Sequence, residues 1–200
     1  MNGKTVSGVI LAGGLGRRMG GVDKGLQMLQ GRPLVAWVIE RLAPQVGELL
    51  INANRNGARY AAFGHALVPD RIPDFAGPLA GLHAALSVAR HPLVASVPCD
   101  SPFLPTDLVA RLLSALAASG AQLAVAHCGA RVQPVFCLCH RAVLPSLGEY
   151  LAGGGRRIDR WQASMPVVEV RFDDQPEAFA NINTGQELRH FAPLSSDFPP

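Results

Sequence analysis

The chain has 200 residues, 48% hydrophobic and 16% charged, with four cysteines and a net charge of +3. That length and apolar content suit one globular domain with a substantial core. They exclude a disordered chain and, with so few cysteines, a Cys-dense disulfide scaffold, while the first apolar run breaks at Gly13, short of the about 18 apolar residues of a membrane span.

The basic excess is mild. Only Arg17-Arg18 and Arg156-Arg157 are adjacent cations, which fits small anionic ligands better than nucleic acid, whose binders carry basic clusters or stripes. Cys99, Cys128, Cys137 and Cys139 read as reduced thiols. Cys137-Leu138-Cys139-His140 is spaced too tightly for a structural zinc site, which favours two or more intervening residues. The N-terminus has no secretory h-region with a small-residue cleavage site, so the cytoplasm is the expected compartment.

In chain order, residues 6–12 form an apolar strand that runs into a glycine-rich, basic loop. A helix over 33–42 opens with proline near its first turn. Strands follow at 48–52 and 66–69, a helix at 79–89 and a strand at 93–97. Pro105, Thr106 and Asp107 start a helix over 105–118, and 122–126 is a further strand. Strands apolar throughout, alternating with helices, predict a mostly parallel sheet covered by helices on both faces. After residue 130 the rhythm loosens: a strand at 132–138, antiparallel by expectation, a helix at 142–151 and a triple-glycine hinge at 153–155. A short helix at 156–163 and a strand at 167–172 follow, as a second lobe or as the far edge of the sheet. The tail, 193–200, is disordered by composition.

In open α/β sheets, ligands sit beyond the carboxyl ends of the strands, and three predicted strand ends here carry polar residues. The first is the loop with Gly13, Gly14, Gly16, Gly20 and Gly21 beside Arg17, Arg18 and Lys24. Glycines let backbone N–H groups cradle phosphate oxygens, and the cations neutralise their charge. It is not a P-loop, because Lys24 is followed by Gly25 rather than Ser or Thr. Nor is it the dinucleotide fingerprint, because Met19 stands at the last glycine position. The second is "VPCDSPFL" over residues 97–104. Asp100 among phosphates would need a hard cation between, and Mg²⁺ typically takes one or two carboxylates plus phosphate oxygens. The third is "NANRN" over 52–56 with Asp70 nearby, where asparagines offer both donor and acceptor; each alone reads equally as a turn or cap. "GPLAGL" over 77–82 starts a helix with two glycines, which allows close approach.

Together these pieces resemble the molybdenum cofactor guanylyltransferase family, within the wider nucleotidyltransferases. The signature L-A-G-G-x-x-x-R-M-G-G-x-D-K is present from Leu11 to Lys24, and "NANR", "GPLAG", "PCDSP" and "NINT" (181–184) follow in the family's order. The resemblance spans roughly residues 6 to 190. It implies a Rossmann-like nucleotidyltransferase fold: one domain over 1–192, with a nucleotide-binding half over 1–128 and a pterin-cofactor side over 129–192. It implies that GTP contacts Leu11, Ala12, Gly13, Lys24, Asn52, Asp70 and Asp100. Arg18, Lys24 and Asp100 would be catalytic, and Asp100 would hold Mg²⁺. Asn181 and Asn183 would face molybdopterin, with Arg156 a further candidate there.

The implied reaction transfers GMP from GTP to the terminal phosphate of molybdopterin and releases pyrophosphate. A phosphate monoester with a second pKa of about 6 is largely dianionic at neutral pH, so no general base is needed. What the chemistry needs is charge neutralisation and positioning. The implied partners are GTP and molybdopterin, with transient contacts to molybdenum-insertion proteins, cofactor chaperones or apo-molybdoenzymes; no nucleic acid or membrane is implied, and the chain is expected to be a monomer. Two alternatives stay open at this stage: a cytidylyl- or sugar-phosphate nucleotidyltransferase of the same fold, and a non-catalytic chaperone for molybdopterin or nucleotide.

Overall fold

The computed structural model describes residues 3–14, 22–72 and 77–182. In chain order the strands are β1 (Val6–Leu11), β2 (Met28–Leu29), β3 (Arg32–Pro33), β4 (Glu48–Asn52), β5 (Ala66–Val68), β6 (Leu93–Pro98), β7 (Leu123–Cys128), β8 (Arg131–His140) and β9 (Val167–Arg171). The helices are α1 (Leu34–Leu42), α2 (Gly57–Ala61), α3 (Pro78–Val88), α4 (Leu108–Ser119), α5 (Leu144–Ala152) and α6 (Ile158–Gln162). Seven strands make one sheet in the order β5-β4-β1-β6-β8-β7-β9, and β2 and β3 form a separate hairpin. β5, β4, β1 and β6 are mutually parallel. β8 is antiparallel to both its neighbours, and β9 runs parallel to β7. The strands after residue 128 therefore continue the same sheet rather than building a separate one.

The unbroken apolar strands have a physical reason: both faces are covered. Val6 and Ile10 of β1, Leu49 and Ile51 of β4, and Ala95 and Val97 of β6 pack with α1 and α4. Their alternate neighbours Val9, Leu50 and Val94 pack with α3 and α5 on the other face. In α4, Leu108, Val109, Leu112, Leu113 and Leu116 are buried, a stripe of helical period that turns one face to the sheet. α3 buries seven residues, Leu79, Ala80, Gly81, Leu82, Ala84, Ala85 and Leu86, because it lies between the sheet and α5. None of the helices among the described residues is long and apolar enough to cross a membrane.

Three local features depart from the sequence expectation. α4 begins at Leu108 rather than at Pro105. Residues 105–107 form a turn, and the helix's early Val109 N–H donates at 2.9 Å to the Gln45 side-chain oxygen, whose amide in turn donates at 2.9 Å to the Pro105 carbonyl. A distant side chain thus satisfies a helix-end donor and sets the boundary. The β2–β3 hairpin turns on Gln30 (φ 50°) and Gly31 (φ 77°), a left-handed pair that local sequence rules expect with Asn or Asp first. α2, a single turn after Asn56 (φ 52°), was also unforeseen; it buries Tyr60 completely.

Candidate functional site

Strand register brings several of the predicted site residues to one end of the sheet. Leu11, the last residue of β1, pairs with Asn52 of β4 and with Pro98 of β6, and Asn52 pairs with Val68 of β5. The four parallel strands therefore end at one level. Two residues beyond each of those ends stand Gly13, Asn54, Asp70 and Asp100. The chain leaves β1 toward β4 on one side, while β6 flanks β1 on the other. That divergence is the topological switch point at which open α/β sheets bind ligands.

On the β4–β5 side the polar residues knit into a rigid floor. Asn52 is 2% exposed, and its amide donates to the Val68 carbonyl at 2.9 Å and to Asp70 Oδ1 at 2.8 Å. Asn54 donates to Asp70 Oδ2 at 2.7 Å and to the Gly13 carbonyl at 3.1 Å, and its side-chain oxygen accepts the Asp70 backbone N–H at 2.8 Å. Arg55 donates to the Gly14 carbonyl at 3.3 Å, and the Ala12 N–H donates to the Asn52 carbonyl at 2.8 Å. The two glycines nearest this floor are sterically required. A Cβ on Gly13 would lie 2.8 Å from both Asn52 Oδ1 and Asn54 Nδ2, and one on Gly81 only 2.3 Å from Asn52 Oδ1.

On the β6 side, charge is concentrated. The Lys24 ammonium lies 3.1 Å from Asp100 Oδ2, the side chains being 32% and 11% exposed. Lys24 begins a 3-10 turn, Lys24–Leu26. The loop bearing Asp100 is fixed from below: the Cys99 N–H donates to the Leu11 carbonyl at 3.2 Å and the Ile182 N–H to the Asp100 carbonyl at 2.8 Å. The Ser101 hydroxyl donates to Asn181 Oδ1 at 2.6 Å, which ties the late segment to the strand end carrying the acid. Burial, then the nearby Asp100 and Asp23 charges, pushes the Cys99 thiol well above its ordinary value. It is a neutral packing group, not a nucleophile.

The structure thus gathers Leu11, Ala12, Gly13, Asn52 and Asp70 at the carboxyl ends of β1, β4 and β5, Lys24 and Asp100 beside the end of β6, and Asn181 near Asp100 through its bond to Ser101. Arg18 and Asn183 lie outside the described residues, as does the tail 193–200. Arg156 donates to the Leu151 and Gly155 carbonyls, at 3.0 and 2.8 Å, just beyond α5. Sequence reasoning gave no individual role to Asn54, Asn56, Tyr60 or Ser101. Asn54 could have been found from register, since it stands at the same offset from its strand end as Gly13 and Asp100.

Cys137 and Cys139 are fully buried under α3 and α5, whereas His140 is exposed. Among the described residues no group of three or more His, Cys, Asp or Glu side chains could by itself hold a metal ion. A cavity of about 320 Å³ lined in part by Glu48, His65 and Arg90 opens at the amino ends of β4 and β5, the opposite end of the sheet from these residues.

Comparison with known proteins was consistent at every level. A family model described as the MobA-like NTP transferase domain matches residues 8–166. A molybdenum cofactor guanylyltransferase from Ralstonia nicotianae is 54% identical over 196 residues, covering 94% of this chain and 96% of the relative. One from Cupriavidus taiwanensis is 57% identical over 189 residues, covering 92% and 94%. Among solved structures, molybdopterin-guanine dinucleotide biosynthesis protein A from Archaeoglobus fulgidus superposes with a TM-score of 0.78 at 22% identity, over 96% of this chain and 100% of that one. The 2-C-methyl-D-erythritol 4-phosphate cytidylyltransferase of Thermus thermophilus gives 0.70 at 19% identity, over 94% and 98%. At such identities the two structures establish the fold, a Rossmann-like nucleotidyltransferase sheet.

Proposed function

The chain belongs to the MobA-like NTP transferase family, and from that membership we propose that it is a guanylyltransferase. It transfers GMP from GTP to the terminal phosphate of molybdopterin, forming molybdopterin guanine dinucleotide and releasing pyrophosphate. The observation that carries this reading is the meeting of Lys24 and Asp100 at 3.1 Å beside the level strand ends that bear Gly13. A cation, an acid and a glycine backbone meet at one end of the sheet, the kinds of group that binding and cleaving a triphosphate requires.

We assign the roles as follows. Leu11, Ala12 and Gly13 offer main-chain groups to the nucleotide. Asn52 and Asp70, bonded to one another, hold the floor beneath them. Lys24 contacts the triphosphate, and Arg18 adds charge from the same loop. Asp100 fits a divalent cation such as Mg²⁺. It supplies one hard carboxylate while the substrate's phosphates supply further oxygens, the donor set this ion favours. Asp23 and Asp70 already accept hydrogen bonds on both carboxylate oxygens, so neither competes for the role. When bound, the ion would neutralise charge accumulating on the departing pyrophosphate.

The remaining chemistry belongs to the chain itself. The acceptor phosphate is already nucleophilic at neutral pH, so the protein must hold two anions in line and offset their repulsion. The half over 1–128 would hold the nucleotide and the half over 129–192 the pterin, with Asn181 and Asn183 facing it. The Ser101–Asn181 hydrogen bond supports this division, since Ser101 follows the proposed acid Asp100 and Asn181 belongs to the proposed acceptor side. We place the reaction in the cytoplasm, with a monomer passing its product to apo-molybdoenzymes or cofactor-carrying proteins.

The test is turnover of the purified chain with molybdopterin and Mg²⁺, scored by pyrophosphate and dinucleotide product across GTP, CTP and ATP. GTP should be preferred; equal use of CTP, or GTP binding without turnover, would overturn the reading. Asp100→Ala should lower kcat by roughly 10²–10³-fold with an unchanged far-ultraviolet circular dichroism spectrum. Normal kcat in that variant would remove Asp100 from the site.

A further inference from the structure

Asp23 precedes the lysine of the proposed site, yet its carboxylate does not cap its own helical turn. It stands at the N-cap of the Lys24–Leu26 turn and makes no side-chain capping bond there. Instead it is held from two sides by the α2 region. The Tyr60 hydroxyl donates to Oδ1 at 2.5 Å, and the Asn56 amide donates to Oδ2 at 2.9 Å. Tyr60 is fully buried. Burial, then the neighbouring Cys99 and Asp23, pushes its phenol far up, so it stays a protonated donor.

The next residue closes the clamp. A Cβ on Gly25 would lie 2.6 Å from the Tyr60 oxygen and 3.2 and 3.3 Å from Cys99 Cβ and Sγ. The absence of a side chain lets the Lys24 turn press directly against Tyr60 and against the residue preceding Asp100. Asn56 adopts a left-handed conformation (φ 52°), one that asparagine tolerates better than most residues. Two elements distant in sequence therefore fix the backbone on either side of Lys24.

We propose that Tyr60 and Asn56 are positioning residues for the transfer reaction: by occupying both oxygens of Asp23 they lock the turn that delivers the Lys24 ammonium to Asp100 and to the triphosphate. This inference rests on the assignment of Lys24 and Asp100 above, and it adds that α2 serves catalysis through the turn that carries Lys24.

Steady-state kinetics with GTP, on the full chain, test it. Tyr60→Phe removes one oxygen and keeps the buried ring. Asn56→Gly keeps the left-handed backbone and deletes the amide. Each should lower kcat/KM roughly five- to tenfold, mostly through KM for GTP, since lysine is misplaced rather than lost. The decisive readout is a double-mutant cycle with Lys24→Ala. In that background Tyr60→Phe and Asn56→Gly should cost nothing further. An undiminished loss there, or wild-type kinetics in both single variants, overturns the proposal. If Tyr60→Phe fails to fold, the exposed Asn56 carries the same cycle. Should Lys24→Ala be crippled while the clamp variants are silent, the clamp alone falls. Should Lys24→Ala retain full activity, the assignment of the site falls, and the clamp with it.

Discussion

Gly81 shows how far a single atom matters at this site. In a helix, alanine is favoured over glycine by about 1 kcal/mol, so Gly81→Ala in α3 should stabilise if nothing opposes it. A Cβ there would lie 2.3 Å from Asn52 Oδ1, 2.7 Å from its Cγ and 2.9 Å from Leu11 Cδ2. Asn52 cannot retreat without breaking its bonds to Val68 and Asp70, and α3 is buried against the sheet. Overpacking of this kind costs about 1–3 kcal/mol, with loss of the floor's hydrogen bonds in addition, so the steric term wins. We expect Gly81→Ala to lower Tm by roughly 2–8 °C and to raise KM for GTP. A rise in Tm would show that the helix and the floor are not in the close contact described.

At the scale of elements, what the sequence revealed and what it hid divide along physical lines. "ELLIN" is β4 residue for residue, because an apolar run that needs burial on both faces leaves little freedom. The order of strands and helices was legible for the same reason, as was the gathering of Lys24 and Asp100 at one end of the sheet. The start of α4 was not, because its boundary is set by Gln45, 64 residues from the Val109 donor it accepts from. α2 was hidden because one turn gives no periodicity; its meaning lies in Tyr60 reaching Asp23 across 37 residues. Packing of the visible elements can be tested at Leu112, fully buried in α4. Leu112→Ala should cost about 2–5 kcal/mol by denaturant unfolding, while kcat well below Tm stays normal, because the stripe faces the core and not the proposed site. A cost under about 1 kcal/mol would contradict the packing of α4 on the sheet.

Across the whole molecule, the two ends of the parallel strands have different work. The carboxyl ends carry the proposed chemistry, with charges placed to meet a ligand. At the amino ends a charge is spent on the fold: Glu48 Oε2 accepts from the Ser7 hydroxyl at 2.5 Å and from the Arg90 N–H at 2.9 Å, while Oε1 accepts from the Arg90 guanidinium at 2.7 Å. Glu48 opens β4 and Ser7 belongs to β1, so the carboxylate joins neighbouring strands to the loop that leads into β6. Burial alone would raise its pKa, but the bonds from Ser7 and from Arg90 outweigh it and hold the carboxyl below its ordinary value of 4.5. A folded pKa below the unfolded one makes the stabilisation present above the ordinary value and lost as the pH falls through the folded one. Glu48→Gln should therefore lower Tm near neutral pH, and the gap to the parent should narrow steadily once the pH drops below about 4.5. The proposed site is not involved, so KM for GTP at neutral pH should not move. A gap in Tm that stayed constant down to strongly acid pH would mean that the charge contributes nothing, and that Glu48 holds the amino ends together only as a neutral hydrogen-bonding group would.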